Sequence, residues 1–352
     1  MKIKVAVLSK DEEFLKRFAR IFQRKYDDKV ILSLFSDLSM LEENLEKNSA
    51  DLLMIDQNAE IQRIKNPQNI PVGVFSEIPD IDEINGIPAV SKYQRAEALY
   101  RGMLNIYAEY SPDFKVKSHG KGARIVLFLS AQGGCGTSSA AAAYAMRRAL
   151  EHKKVFFLTL ERFGSTNLYF NSTDKLSLSD IIYSLKSKNG NLLLKLESAI
   201  QTDPSGVEFL NDCKNPYDIF ELRDEELDEL LKSLSQVKKY DEMVIDISAD
   251  FWERKIRLMK EYADKIVYVS DGSFSGNDKF EKFCQIIKIL EGKMNCEILN
   301  KMCLLYNRYS TKNSIQKDKS AVPVIGGIHR IEGVSGRKLA GQIAQVDDIC
   351  RI

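Results

Sequence analysis

Three segments follow one another without a break: Arg124–Leu129 (RIVLFL), Ser130–Ser139 (SAQGGCGTSS) and Ala140–Leu150 (AAAAYAMRRAL). Six apolar-rich residues bounded by a glycine cluster read as a buried strand. Gly133, Gly134 and Gly136 let the following backbone turn tightly and approach a ligand without a Cβ in the way. Their N–H groups can converge on phosphate oxygens. The alanine run of 140–145 is a strong helix former that begins where the loop ends. It sets a helix amino terminus, with free N–H groups and partial positive charge, under an anion. Ser138 is placed to offer its hydroxyl to Mg²⁺, and Ser139 can reach another phosphate oxygen. The plainer alternative is a glycine-rich turn on an inherited fold that no longer holds nucleotide.

Working towards the carboxyl end, Val155–Leu160 (VFFLTL) is the next strand and delivers Glu161. MVI at 243–245 then delivers Asp246, a carboxylate suited to Mg²⁺ or to capping the strand end beside Ser248 and Asp250. Ile266–Val269 ends near Ser270 and Asp271. Met302–Tyr306 (MCLLY) is followed by Asn307 and Arg308, and Val324–Ile328 reads as the last strand. An amide such as Asn307 can both donate and accept on a purine edge; it can equally form a turn. Leu176–Tyr240 reads as helices and one short strand around Asn215–Asp218.

Working towards the amino end, Ser111–Ala123 (SPDFKVKSHGKGA) has no apolar periodicity and reads as a linker. Before it, strands are expected at Ile3–Leu8, Val30–Phe35, Asp51–Ile55, Pro71–Phe75 and Ile87–Val90. Helices are expected between them and over 95–108; Phe14, Leu15, Phe18, Ile21 and Phe22 have amphipathic spacing. Alternating strands and helices imply parallel pairing by right-handed crossovers. In such sheets the sites lie at the carboxyl ends of strands, which here present Asp56, Ser76 and Lys92.

Composition bounds the rest. A chain of 352 residues is expected to hold two domains. The net charge of +1 argues against a protein that coats nucleic acid, and no direct nucleic-acid binding is expected. Six cysteines lie dispersed, with no CxxC pair; they read as free thiols of a reducing cytosol. MKIKVAVLSKDEEFLKRF turns charged too early for a signal peptide or a membrane span. A cytoplasmic protein is expected, reaching a membrane only through a partner or a peripheral surface, with recruitment by partners to a cell pole or the inner membrane face as one route.

The amino-terminal order resembles the receiver domain of two-component response regulators, in which an Asp is phosphorylated, a Ser/Thr and a Lys contact the phosphoryl group, and an acidic pair after the first strand holds Mg²⁺. Here Ser9 and Lys10 stand where the acids belong, and Asp11 comes late. Without the pair Mg²⁺ has too few hard oxygen ligands. The expectation is an atypical receiver used as an interaction platform, with Asp56 phosphoacceptor-like but inactive.

The GGxGxS order resembles the deviant Walker A motif of the ParA/MinD superfamily, usually KGGxGK[ST]. Gln132 and Thr137 occupy the two lysine positions. The resemblance implies ATP and Mg²⁺ as ligands, with Gly133 to Ser139 and Asn307 around the nucleotide. It also implies Ser138 and Asp246 at the metal, and Glu161 in place of an Asp that positions the attacking water. The domain order and LSDIIYSLK…AIQTDPSGVEFLNDCKNPYD further resemble the TadZ/CpaE branch. The expected fold class is α/β, with two doubly wound domains. A flavodoxin-like receiver-type domain at 1–110 and a linker at 111–123 precede a ParA/MinD-like P-loop NTPase domain with a mainly parallel sheet at 124–352. The implied function is a homodimeric localisation or assembly factor for a tight-adherence (Flp-type) pilus secretion system, at most a weak ATPase. Alternatives are a ParA- or MinD-like partitioning or positioning ATPase and a phosphorelay output protein.

Overall fold

The computed structural model describes residues 2–59, 66, 69–111, 122–172, 175–188, 190–247, 252–310, 314–315 and 320–352. Most of the 111–123 stretch, and Ser248 and Asp250, lie outside the described residues. The chain divides into two compact units, Met1–Lys115 with Ser187–Ala199, and Val116–Lys186 with Ile200–Ile352.

The first unit runs β1 (Ile3–Leu8), α1 (Glu12–Lys25), β2 (Val30–Phe35), α2 (Leu38–Lys47), β3 (Leu52–Asp56), β4 (Val72–Ser76), β5 (Glu83–Ile84), β6 (Ile87–Ser91) and α3 (Ala96–Tyr110). Its sheet order is β2-β1-β3-β4-β6-β5. All pairs are parallel except the β5–β6 hairpin. That hairpin turns on Asn85 (φ 51°) and Gly86 (φ 80°). Asn-Gly is the dipeptide that two-residue hairpins favour, so this small edge was written in the sequence although not read there. Helix α1 starts because the Asp11 carboxylate accepts the Phe14 N–H at 2.9 Å, and α2 because Asp37 accepts from Ser39 at 2.8 Å. Phe14, Phe18 and Phe22 bury one face of α1 against Phe75 and the sheet.

The second unit holds β7 (Arg124–Leu129), α4 (Thr137–Leu150), β8 (Val155–Leu160), α5 (Thr166–Tyr169) and α6 (Leu178–Ser187). The chain then forms α7 (Leu192–Ala199), which packs on α3 within the first unit. There the Lys195 ammonium reaches Glu109 at 2.7 Å and Asn105 at 2.8 Å. The second unit resumes with β9 (Gln201–Thr202), β10 (Glu208–Phe209), α8 (Asp218–Glu221), α9 (Asp224–Val237), β11 (Glu242–Ile247), α10 (Trp252–Arg257), β12 (Lys265–Ser270), α11 (Phe274–Met294), β13 (Met302–Tyr309), β14 (Val324–His329) and α12 (Gly336–Ile343). The order β14-β13-β12-β7-β11-β8-β10-β9 places β7 between β12 and β11. Only the β10–β9 pair is antiparallel. Ala140, Ala141, Ala142 and Ala143 are fully buried, since small side chains let α4 lie close on the sheet. The structure is α/β, with two mainly parallel sheets.

Candidate functional site

Strand β7 delivers its loop at the carboxyl edge of the second sheet, where adjacent parallel strands also deliver their terminal residues. Gly134 (φ 78°) and Gly136 (φ 82°) are left-handed, and Gly136 caps α4. A Cβ on Gly133 or Gly134 would meet nothing within 4 Å, so an anion can approach the backbone there. A Cβ on Gly136 would lie 2.5 Å from Asn307 Nδ2.

The loop is fixed from its carbonyl side. Asn307 Nδ2 donates to the carbonyls of Cys135 (3.0 Å) and Gly136 (3.1 Å), and Arg308 Nη1 donates to that of Gly134 (2.6 Å). The Cys135 thiol donates to the Gln132 carbonyl and also meets Thr137 Oγ1, both at 3.3 Å. At the loop's start Tyr268 Oη accepts the Ala131 N–H (3.2 Å), and the buried Lys255 ammonium donates to the Ser130 carbonyl (3.2 Å). Gln132 Nε2 donates to Asp271 Oδ2 at the end of β12, at 3.0 Å. Burial would raise the Asp271 carboxyl, but hydrogen bonds from Ser273 and Gln132 hold it below its ordinary value.

The acidic end lies under the first turn of α4. Ser138 Oγ donates to Glu161 Oε1 at 3.2 Å. Asp246, the penultimate residue of β11, is 1% exposed and its Oδ1 has no hydrogen-bond partner. Burial pushes its carboxyl well above the ordinary carboxylate range, and the charges of Glu161 and Asp212 push the same way, against the smaller pull of the neighbouring Ser138 hydroxyl. A buried carboxylate oxygen without a partner, beside a hydroxyl and a second carboxylate, is a set of hard oxygens that suits Mg²⁺. Asp212 was not singled out in the sequence. It accepts the Thr166 N–H at 3.0 Å and is itself raised by burial. Ser139 Oγ pairs with Tyr169 Oη at 3.0 Å. Arg162 stacks its guanidinium over the Phe220 ring, 4.6 Å from the centroid.

A cavity of ≈ 410 Å³ opens beside Gly136 and Ser139, with Asn307, Arg308, Arg330 and Glu332 in its walls. The structure therefore gathers Gly133 to Ser139, Glu161, Asp246 and Asn307 along one sheet edge. The Asn307 amide nitrogen is spent on loop carbonyls.

In the first unit, Asp56 and Lys92 meet at the equivalent edge and line a cavity of ≈ 650 Å³, whose walls do not include Ser76. Asp56 Oδ2 accepts the Ser9 hydroxyl at 2.6 Å. Asp56 Oδ1 lies 2.5 Å from the buried Lys92 ammonium, as an ion pair rather than an aligned hydrogen bond. Ser76 Oγ is turned to Gln57 Oε1 at 2.9 Å. Asp11 and Asp37 serve as helix caps. Among the described residues no group of three or more His, Cys, Asp or Glu side chains could hold a metal ion.

Residues 1–108 match the family model described as "TadZ-like, receiver domain". No curated protein matches the chain. Among solved structures, a ParA family ATPase from Chlorobium tepidum TLS is 17% identical, covering 64% of this chain and 98% of its own, with a TM-score of 0.50. A plasmid partition protein from Borrelia burgdorferi is 18% identical over 64% of this chain and 97% of its own, TM-score 0.48. The septum site-determining protein MinD from Pyrococcus horikoshii OT3, complexed with Mg-ADP, is 21% identical over 63% and 86%, TM-score 0.46.

Proposed function

From a TadZ-like receiver domain followed by a unit with the ParA-type ATPase fold, we propose that this chain is an Mg–ATP-binding, dimerising assembly or localisation factor of a tight-adherence (Flp-type) pilus system. Turnover is slow or absent. The observation that carries the reading is the loop itself. Its carbonyls are engaged by Asn307 and Arg308, Gly133 and Gly134 face open space, and Ser138, Glu161 and the unpartnered Asp246 oxygen stand at one end of it.

In this reading the N–H groups of the loop hold the β- and γ-phosphates, and the amino terminus of α4 adds its dipole. Ser138 and Asp246 would hold an Mg²⁺, whose charge would offset that of the phosphates and the cost of burying Asp246 as an anion. Glu161, hydrogen-bonded to Ser138, positions water. Loss of a charge-assisted phosphate contact weakens binding roughly 10–150-fold, for about 1.5–3 kcal/mol. Binding at millimolar ATP survives that loss. Catalysis suffers more, because a cation on the transferring phosphoryl group is worth about 10³–10⁵ in rate. Gln132 stands at the position of the lysine that reaches a partner's nucleotide in ParA/MinD proteins. It carries no charge, and Asp271 holds it at 3.0 Å. Thr137 offers only a hydroxyl, which is turned to Cys135. A nucleotide-gated assembly switch fits these residues better than an efficient ATPase. Phosphorelay output at Asp56 has less support, because Lys92 and Ser9 already engage both carboxylate oxygens.

The test is calorimetry with Mg–ATP, paired with light scattering for oligomeric state. Binding that Gly136→Arg abolishes, and a dimer that forms with ATP, are expected. No binding at millimolar Mg–ATP would sink the nucleotide reading; a monomer in all conditions would sink the dimer.

A further inference from the structure

Asn307 and Arg308 are consecutive, and in a regular strand their side chains would point to opposite faces. Strand β13 breaks that rule. Asn307 pairs with Ile328 and Tyr309 with His329, so Arg308 is left over as a bulge. Its φ is +59°, a conformation that glycine adopts freely and side-chain-bearing residues avoid. The bulge brings both side chains to one loop, where they hold three successive carbonyls, those of Gly134, Cys135 and Gly136. The peptide bonds are trans. In a trans peptide the C=O and the N–H of the next residue point opposite ways. Holding these carbonyls therefore turns the N–H groups of Cys135, Gly136 and Thr137 to the other side of the loop. Among the described residues no acceptor occupies those three N–H groups.

We infer that Arg308 is a positioning residue that clasps the Gly134 carbonyl and, with Asn307, presets the phosphate-binding N–H groups of a loop that has no lysine. It acts through the backbone, from the face opposite the anion. A guanidinium is suited to this, because its charge strengthens a bond to a neutral carbonyl. The left-handed backbone at Arg308 is retained because only the bulge aims this side chain. The inference rests on the Mg–ATP reading for its purpose, but its geometry can be tested without nucleotide.

The experiment compares wild type, Arg308→Gly and Arg308→Lys in the full-length protein. Glycine relieves the left-handed backbone while deleting the clasp; lysine keeps a single cationic donor. The first readout, without nucleotide, is the rate at which N-ethylmaleimide labels Cys135, followed by peptide mass mapping. Cys135 is 1% exposed and sits between two clasped carbonyls. Loss of one hydrogen bond should populate the open loop about tenfold more, and labelling should accelerate accordingly. The second is the Mg–ATP dissociation constant, expected to rise about tenfold in Arg308→Gly and to recover in Arg308→Lys. The third is thermal unfolding, where Arg308→Gly should melt no lower than wild type. Unchanged Cys135 labelling in Arg308→Gly would overturn the clasp, whatever happens to nucleotide. Faster labelling that lysine fails to slow would also overturn it. Faster labelling with lysine rescue, in a protein that never binds Mg–ATP, would uphold the clasp and discard the nucleotide reading. A lower melting temperature for Arg308→Gly would reassign the arginine to fold stability.

Discussion

Replacing Gly136 by alanine tests the loop's construction, because two independent penalties meet at that atom. The backbone sits at φ 82°, and an L-residue in the left-handed region costs roughly 1–2 kcal/mol. The added Cβ would lie 2.5 Å from Asn307 Nδ2, which already donates to Cys135 and Gly136. The amide must withdraw and give up both bonds, at about 0.5–1.5 kcal/mol each. The expected loss is therefore about 2–5 kcal/mol, large beside a domain stability of about 5–15 kcal/mol. Gly133→Ala is the control: its Cβ meets nothing within 4 Å, so stability should stay within about 0.5 kcal/mol while Mg–ATP binding weakens. Urea unfolding followed by tryptophan fluorescence is the assay, since the single tryptophan, Trp252, belongs to the second unit. Asn307→Ala completes a double-mutant cycle. In its background Gly136→Ala should cost only the backbone share, giving a coupling of about 1–3 kcal/mol. A Gly136→Ala protein as stable as Gly133→Ala would refute the reasoning, and strict additivity with Asn307→Ala would refute its second half.

Three further outcomes are expected. Gln132→Lys with Thr137→Lys should raise steady-state phosphate release more than it tightens ATP binding. Because Asp271 would capture the new ammonium at position 132, adding Asp271→Asn should raise release again; a triple variant no faster than the double sinks the capture argument. Acetyl phosphate with Mg²⁺ should leave the intact mass unchanged, because Asp56 is held by Lys92 and Ser9; stoichiometric addition that Asp56→Asn removes would reverse that view. Burial would raise the Glu242 carboxyl, but hydrogen bonds from Arg148 and Tyr144, with the charges of Arg148 and Arg124, hold it below its ordinary 4.5. Its contribution is therefore present above that value and lost as pH falls through the lower folded one. Glu242→Gln should cost about 1–2 kcal/mol at pH 7 and lose less than wild type on acidification to pH ~3; equal acid losses in urea midpoints would contradict this.

The parts legible in the sequence are those written in local residue types. Apolar runs that end in Asp56, Ser76, Glu161 and Asp246 mark strands and the groups they deliver. The glycine cluster with its alanine helix marks the loop. The illegible parts depend on which distant elements become neighbours. Gln132 meets Asp271 only because β12 pairs with β7, and strand order cannot be read from one sequence. Asp212 comes near Asp246 for the same kind of reason. Helix α7 packs on α3 through Lys195 with Glu109 and through Leu194 against the first unit's core; nothing local announces that destination.

The orientation of the loop is the deepest of these omissions. Glycines at 133, 134 and 136 say that the backbone can turn, but not which face of each peptide will meet a ligand. That choice is made some 170 residues away, at a bulge whose left-handed residue is Arg308 rather than the glycine that would have advertised it. Asn307 illustrates the consequence. Its residue type and its place beside an apolar strand suit a purine edge, whereas its amide nitrogen is hydrogen-bonded to Cys135 and Gly136. The same side chain can still accept through its carbonyl, so a base in the adjoining cavity would meet an acceptor from Asn307, with donors supplied by the cavity's arginines. An acceptor there favours the exocyclic amine of adenine over the carbonyl that guanine carries at the same position. Mg–ATP should therefore outcompete Mg–GTP by about tenfold or more, the discrimination expected of a single matched hydrogen bond set against an unpaired acceptor. Competition calorimetry measures that ratio directly. Equal affinities would mean that Asn307 serves the loop alone and reads no base.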